Sequence, residues 1–394
     1  MKVILLTQVL PYPPDSGPKI KTWNVIKYLA RQHDITLVSF VRGDQSSDEA
    51  HLRRYCKAVH TVAMKRSPLL DGLALLRSLF TNQPWMMTRD DRTAMRRLVD
   101  DLARREGFAV AHADQLNMAQ YAQRVPGARK VMDAHNALWL LYKRLADTMH
   151  PGPKKWLLAR DWRLLKKYEG KVCQAFDAVL AVSAEDQAAL EEAIGHPYPM
   201  EVIPIAIDVD ELPPVERRPG ADHILHFGTM YWPPNIDGIH WFLDEILPWI
   251  RQQRPESVVD LVGARPPQSL VARGEQDDKI NVTGYVPELQ PYMEQAGVFI
   301  VPLRAGGGMR VKILEALARG LPLVTTSLGC EGIAVKDGEH VLIANTPDGF
   351  ADAVLRLLND RALAEQLGRN GRALIESTYD YRAACKPLDE VYQP

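Results

Sequence analysis

The chain has 394 residues, 46% of them hydrophobic and 25% charged, with a formal net charge of −1. That balance excludes a disordered, fibrous or collagen-like chain, and at about 150 residues per domain it predicts two or three domains, each able to bury its own core. The longest apolar runs, at residues 3–6 and 298–303, fall well short of the roughly 20 residues that a membrane span needs.

Met1-Lys2 passes directly into a strand-like run followed by Pro11, Pro13 and Pro14, without a small-residue cleavage pattern, so the expected location is cytoplasmic. Cys56, Cys173, Cys330 and Cys385 form no close pair; they are expected as small core residues and not as disulfides or zinc ligands. Residues 1–205 hold 30 Lys and Arg against 22 Asp and Glu, and the remainder holds 18 against 27. A basic front half suits an anionic surface or an acidic acceptor, and drift among solvated charges gives the same split.

In chain order, β-branched runs alternate with helical stretches, the signature of α/β units with parallel sheets. Strands are predicted at residues 2–7, 35–40, 61–63, 110–112, 130–133 and 178–182, and then at 223–227, 258–262, 280–283, 298–301, 321–325 and 341–343. Helices are predicted at 20–31, 235–251, 309–319 and 347–358. The proline-rich stretch 205–222 breaks this rhythm and reads as a linker. Two doubly wound sheets are therefore more economical than one, with ligands expected outside the carboxyl ends of their strands.

Two front-half stretches combine apolar and basic residues. Ser67 to Met87 is rich in leucine and flanked by Lys65, Arg66 and Arg89; Lys154 to Lys171 interleaves lysine and arginine with Trp156, Trp162 and leucines. Either fits an anionic membrane surface, and either fits a helix whose apolar face is simply core. A sequence pI near 6.8 without an aromatic-interleaved basic stripe argues against nucleic acid. The histidines make no metal-ligand pattern, and no metal site is predicted.

The most informative stretch runs from Val301 to Thr325. A strand ends at Pro302, Gly306, Gly307 and Gly308 permit close backbone approach, and a helix starts near Met309 with its amides free. A diphosphate there would gain from the helix dipole, from Arg310 and from Lys312, while Glu315 would accept the hydroxyls of a ribose. Taken alone, the run fits a flexible loop equally well.

The run Gly306 to Glu315, the following Ala316 to Thr325 and Gly329-Cys330-Glu331-Gly332 resemble the donor-site signature of the GT-B-fold, family 4-like retaining glycosyltransferases. Pro11 to Thr22 resembles the first glycine loop of that family, Asp133-Ala134-His135-Asn136 its acceptor-side histidine motif, Val182-Ser183 its strand-end serine and Gly284 to Pro287 its base-holding loop. The resemblance covers most of the chain in the expected order. It implies two Rossmann-like domains facing a central cleft: an acceptor domain at 1–205, a nucleotide-sugar domain at 206–375, and a last segment, 376–394, crossing back to the first domain.

The implied donor site comprises Gly228, Thr229, Tyr285, Val286, Gly307, Gly308, Met309, Arg310, Lys312 and Glu315. His135, Arg310 and Lys312 are the implied catalytic groups, and Asp15, Gly17 and Lys19 belong to the first loop; Asp15 alternatively caps the helix that follows. Two departures stand out. Gly307 occupies the place where the family usually carries a glutamate, eight residues before Glu315, and the loop Phe227 to Asp237 lacks the usual Arg and Lys. The expected activity is transfer of a sugar from a UDP- or GDP-linked donor to a hydroxyl of an envelope lipid or surface glycan, with retention and without metal or further cofactor. Alternatives are a nucleotide-sugar epimerase on the same fold and a non-catalytic partner of another transferase.

Overall fold

The computed structural model describes residues 1–393. They form two compact units: residues 1–206 together with 384–393, and residues 207–383.

The first unit is built on seven strands: β1 (Lys2–Thr7), β2 (Asp34–Val41), β3 (Ala58–Ala63), β4 (Val110–Asp114), β5 (Arg129–Asp133), β6 (Ala178–Ala181) and β7 (Glu201–Val202). All pair in parallel, in the order β3-β2-β1-β4-β5-β6-β7. Val3, Ile4, Leu5 and Leu6 of β1 are fully buried, as expected of a central strand covered by helices on both faces. β3 begins three residues before the predicted strand, and β7 is too short to have left an alternating pattern. The core gathers Tyr121, Met132, Trp139 and Leu165; Trp139 donates its indole N–H to the Ala189 carbonyl at 3.0 Å, so its one polar atom is satisfied. The end of the chain packs here too, with Tyr392 buried and its hydroxyl 2.6 Å from His112 Nδ1.

The second unit holds β8 (His223–Phe227), β9 (Val259–Val262), β10 (Ile280–Gly284), β11 (Ala296–Val301), β12 (Leu323–Thr325) and β13 (Leu342–Ile343), again all parallel, in the order β10-β9-β8-β11-β12-β13. Phe242, Phe350 and Trp241 fill the core under one face, with Trp241 and Phe350 in edge contact at 5.9 Å. In both sheets the strand order reverses beside the first strand, between β1 and β4 and between β8 and β11. Loops leaving the two strands at such a point diverge to opposite faces and open a crevice for ligands.

All four cysteines are free and buried, as expected. The two basic amphipathic stretches part ways. In the helix Pro68–Thr81, Leu69, Leu73, Leu76 and Phe80 stand exposed, Phe80 at 89%. In the helix Pro153–Ala175, Leu165 enters the core and Trp162 packs near Trp139, while Trp156 is exposed.

Candidate active site

In the second unit, β8, β9 and β10 end on tightly stacked backbone. Gly228 donates to the Val262 carbonyl at 3.0 Å, and Gly263 donates to the Gly284 carbonyl at 2.9 Å. A Cβ on Gly263 would lie 1.7 Å from the Gly228 carbonyl oxygen, so only glycine lets these loops meet. The loop after Gly228 is tied to the helix Pro233–Trp241 by buried Asn235, whose Nδ2 donates to the Thr229 carbonyl at 2.8 Å.

Across the reversal point, β11 leads into the glycine run. Gly306 and Gly308 take φ of +108° and +80°, values an L side chain resists, and Met309 beneath them is buried as an anchor. Arg310 turns back onto its own loop, its Nη1 donating to the Gly307 and Gly308 carbonyls. Thr326 donates to the Leu303 carbonyl at 2.5 Å and fixes the start of the same loop. The helix Val311–Ala318 then begins.

Lys312, in the first turn of that helix, reaches across to the β8 side. Its Nζ donates to Asn235 Oδ1 at 2.9 Å and lies 3.4 Å from His226 Nε2. His226 Nδ1 meets the Ile300 carbonyl at 2.8 Å and must carry the proton there, leaving Nε2 to accept. Burial, reinforced by Lys312, holds the imidazole well below its usual range. Burial and then the charge of Arg310 pull the Lys312 ammonium down to about 7. One turn on, burial pushes the Glu315 carboxyl up, opposed by Arg319. At the end of β10, Gly284 has φ +73°, Tyr285 is 78% exposed and Val286 is half-buried.

In the first unit, Asp114 and Asp133 end the adjacent strands β4 and β5. Buried Lys21, from the helix Gly17–Leu29, forms an ion pair with Asp133. Burial alone would raise the Asp133 carboxyl, but Lys21 and then His112 hold it well below the ordinary range. The Thr22 hydroxyl and His135 Nε2 lie 2.8 and 2.9 Å from Asp114 Oδ1. Asp114 thereby fixes the tautomer with Nε2–H, and the other ring nitrogen, Nδ1, is buried with no partner among the described residues. His112, Asp114 and Asp133 stand close enough to share a cation, but Lys21, Thr22 and His135 already engage the two carboxylates.

Residues 22–211 match the family described as Glycosyltransferase Family 4, and residues 221–360 match Glycosyl transferases group 1. The chain belongs to the GT-B glycosyltransferases. This glycosyltransferase is 21% identical to a Klebsiella pneumoniae protein described as an uncharacterized 44.6 kDa protein in the cps region, over 96% of each chain. It is 27% identical to the Staphylococcus aureus capsular polysaccharide biosynthesis glycosyltransferase CapM, over 30% of this chain and 31% of that one. Its fold matches a crystal structure of Anabaena HepE in complex with UDP, with a TM-score of 0.70 at 15% identity over 99% of each chain. It is an enzyme of glycosyl transfer.

Of the residues expected in the transferase's donor site, the structure joins Gly228, Thr229, Gly307, Gly308, Arg310 and Lys312 through the contacts above. Met309 offers its backbone only. Glu315 follows on the same helix, and Tyr285 and Val286 leave β10, which β9 and β8 separate from β11. In the first loop, Asp15 is not the helix cap: Ser16 holds that position, and Asp15 pairs instead with Lys19 at 3.1 Å. Gly17 opens the helix as its first residue. Asn235, His226, Asp114 and Lys21 escaped the sequence reading. Asn235 alone left a local sign, a polar residue just after Pro233-Pro234 at the start of the helix following a glycine turn.

Proposed function

We propose that the transferase moves a sugar from a UDP- or GDP-linked donor to a hydroxyl of an envelope lipid or surface glycan, with retention and without a metal ion. The observation carrying this reading is Lys312. A half-buried amine held between the β8 loop and the glycine run, close to neutrality, is poised to regain its proton opposite an incoming diphosphate.

Charge grows on the departing diphosphate as the sugar becomes oxocarbenium-like. Lys312, the amides at the start of the helix Val311–Ala318 and the backbone at Gly228 then stabilise the transition state more than the ground state. Arg310 stiffens the glycine run and adds positive potential. Glu315 takes the ribose hydroxyls, and Tyr285 and Val286 border the base. With Gly307 in place of a glutamate, the amides of Gly308 and Met309 meet the sugar hydroxyls. In the first unit, His135, oriented by Asp114, is the group that acts near the reacting carbon, and Asp15, Gly17 and Lys19 border the acceptor. A donor phosphate oxygen takes the acceptor proton, so no protein nucleophile is required.

The UDP in the HepE crystal structure supports a uridine donor, and CapM and the cps-region protein support a surface polysaccharide as acceptor. No helix among the described residues is long and apolar enough to cross a membrane. The exposed leucines of the helix Pro68–Thr81, beside Lys65, Arg66 and Arg89, support peripheral contact with an anionic bilayer on the cytoplasmic side. Incubating the enzyme with UDP- and GDP-sugars and a bacterial lipid extract in EDTA tests the reading. Transfer with an unchanged anomeric configuration supports it; inversion, or a requirement for divalent cation, overturns the corresponding part.

A further inference from the structure

The second unit contains another cavity, of about 610 Å³, at the opposite end of its sheet from the glycine run. Asp222 just before β8, Gly297 at the start of β11 and Gly320 shortly before β12 line it, so it opens at the amino ends of the strands. Seven arginines face it against three carboxylates, those of Asp222, Glu365 and Glu376.

Several of these charges are matched. Arg254 meets Asp222 at 3.0 Å, Arg372 meets Glu376 at 2.6 Å, and Arg361 meets Glu365 at 2.7 Å. Arg369 approaches the same Glu365 only at 3.9 Å. Arg217 and Arg319 are half-buried and form no ion pair with a carboxylate among the described residues. Burial lowers the pKa of both, opposed by the charge of Glu365 at Arg217 and of Glu315 at Arg319, although neither guanidinium forms an ion pair with that carboxylate. A guanidinium does not offset that cost by losing its proton, and an anion entering the cavity supplies the direct partner that both lack.

We propose that this cavity is a second ligand site, for a small phosphate compound of two or more negative charges, with Arg217 and Arg319 as its principal contacts. Planar guanidinium forks suit phosphate oxygens, and the volume lies within the range of small-molecule pockets. Sugar phosphates and oligophosphates share this chemistry. The site is separate from the donor loops, because Gly228, Gly284 and Gly306 follow the carboxyl ends of the same parallel strands.

Calorimetry at 150 mM salt with inorganic pyrophosphate and with ribose 5-phosphate, on wild type, Arg217→Ala/Arg319→Ala and Lys312→Ala, tests the proposal. Binding of either compound should persist in Lys312→Ala and weaken at least tenfold in the double variant, with the tighter compound identifying an ester or an oligophosphate as the ligand type. Arg217→Gln, which replaces a side chain whose one contact, with the Gly297 carbonyl, is long at 3.5 Å, provides a weakened site should the double variant fail to fold. Absence of binding to wild type overturns the proposal. So does binding that vanishes in Lys312→Ala, or that is unchanged by every arginine substitution.

Discussion

Lys312 donates a hydrogen bond to Asn235 Oδ1 at 2.9 Å, joining the helix after the glycine run to the helix after β8. The same ammonium lies 2.9 Å from where a Cβ on Gly228 would stand. The Lys312 ammonium and the glycine backbone after β8 therefore share one small space at the reversal point of the second sheet.

Proton linkage follows from this position. In the free enzyme Lys312 titrates near 7, against 10.5 for an ordinary lysine, so above pH 7 it is increasingly neutral. A bound diphosphate requires the ammonium and raises its pKa back toward 10.5. Between those values binding takes up a proton, and affinity falls by up to about tenfold per pH unit as pH rises; below 7 the dependence on this group disappears. Calorimetry of UDP binding in buffers of different ionisation enthalpy measures the uptake, and Lys312→Arg should flatten the profile.

Gly263→Ala should damage the donor loops through packing alone. The new Cβ has no room beside the Gly228 carbonyl, and overpacking of this kind costs about 1–3 kcal/mol. For a unit of this size that is a fall in Tm of about 2–4 °C per kcal/mol, with weaker nucleotide binding. Gly72→Ala is the control: the site is helical with open space around it, and the substitution should stabilise by about 0.5–1 kcal/mol. Thermal unfolding of the two variants should move in opposite directions.

Asp114→Asn separates catalysis from donor binding. The amide no longer holds His135 in the tautomer that leaves Nδ1 free, and losing one positioned hydrogen-bonding group near the reacting carbon costs on the order of 10²–10³ in turnover. Nucleotide affinity, which belongs to the other unit, should not change. Equal losses in kcat and in nucleotide affinity would show that Asp114 supports only the fold.

Replacing Leu69, Leu73, Leu76 and Phe80 by serine should leave Tm unaltered, because all four side chains are exposed. Each loses roughly 1–2 kcal/mol of membrane partitioning, so binding to vesicles containing anionic lipid should fall by at least about 100-fold. Sedimentation with vesicles of phosphatidylglycerol and phosphatidylcholine measures it.

Much of the fold was legible because central parallel strands are apolar throughout. β1 and β11 announce themselves, and the alternation with helices dictates two doubly wound sheets. β7 is a two-residue pairing without any pattern of its own, whereas the equally short β13 falls within the predicted strand 341–343. The glycine run and the helix after it were legible because Gly306 to Glu315 are consecutive residues. The long-range contacts were not: Lys312 and Asn235 are 77 positions apart, Lys21 and Asp133 are 112 apart, and only folding brings each pair together. The helix Pro68–Thr81 misleads in the other direction. Its leucine spacing is that of a core helix, yet this face is turned to solvent, which periodicity cannot distinguish.

The most direct measurement is thermal unfolding with UDP, GDP, ADP, TDP, CMP and NAD, on wild type and Glu315→Ala. One nucleoside diphosphate at 100 times its Kd should stabilise the wild type by about 2.7 kcal/mol, and Glu315→Ala should lose most of that shift. Stabilisation by none of them, or an equal shift in Glu315→Ala, would contradict the assignment of the donor site to the loops after β8 and β11.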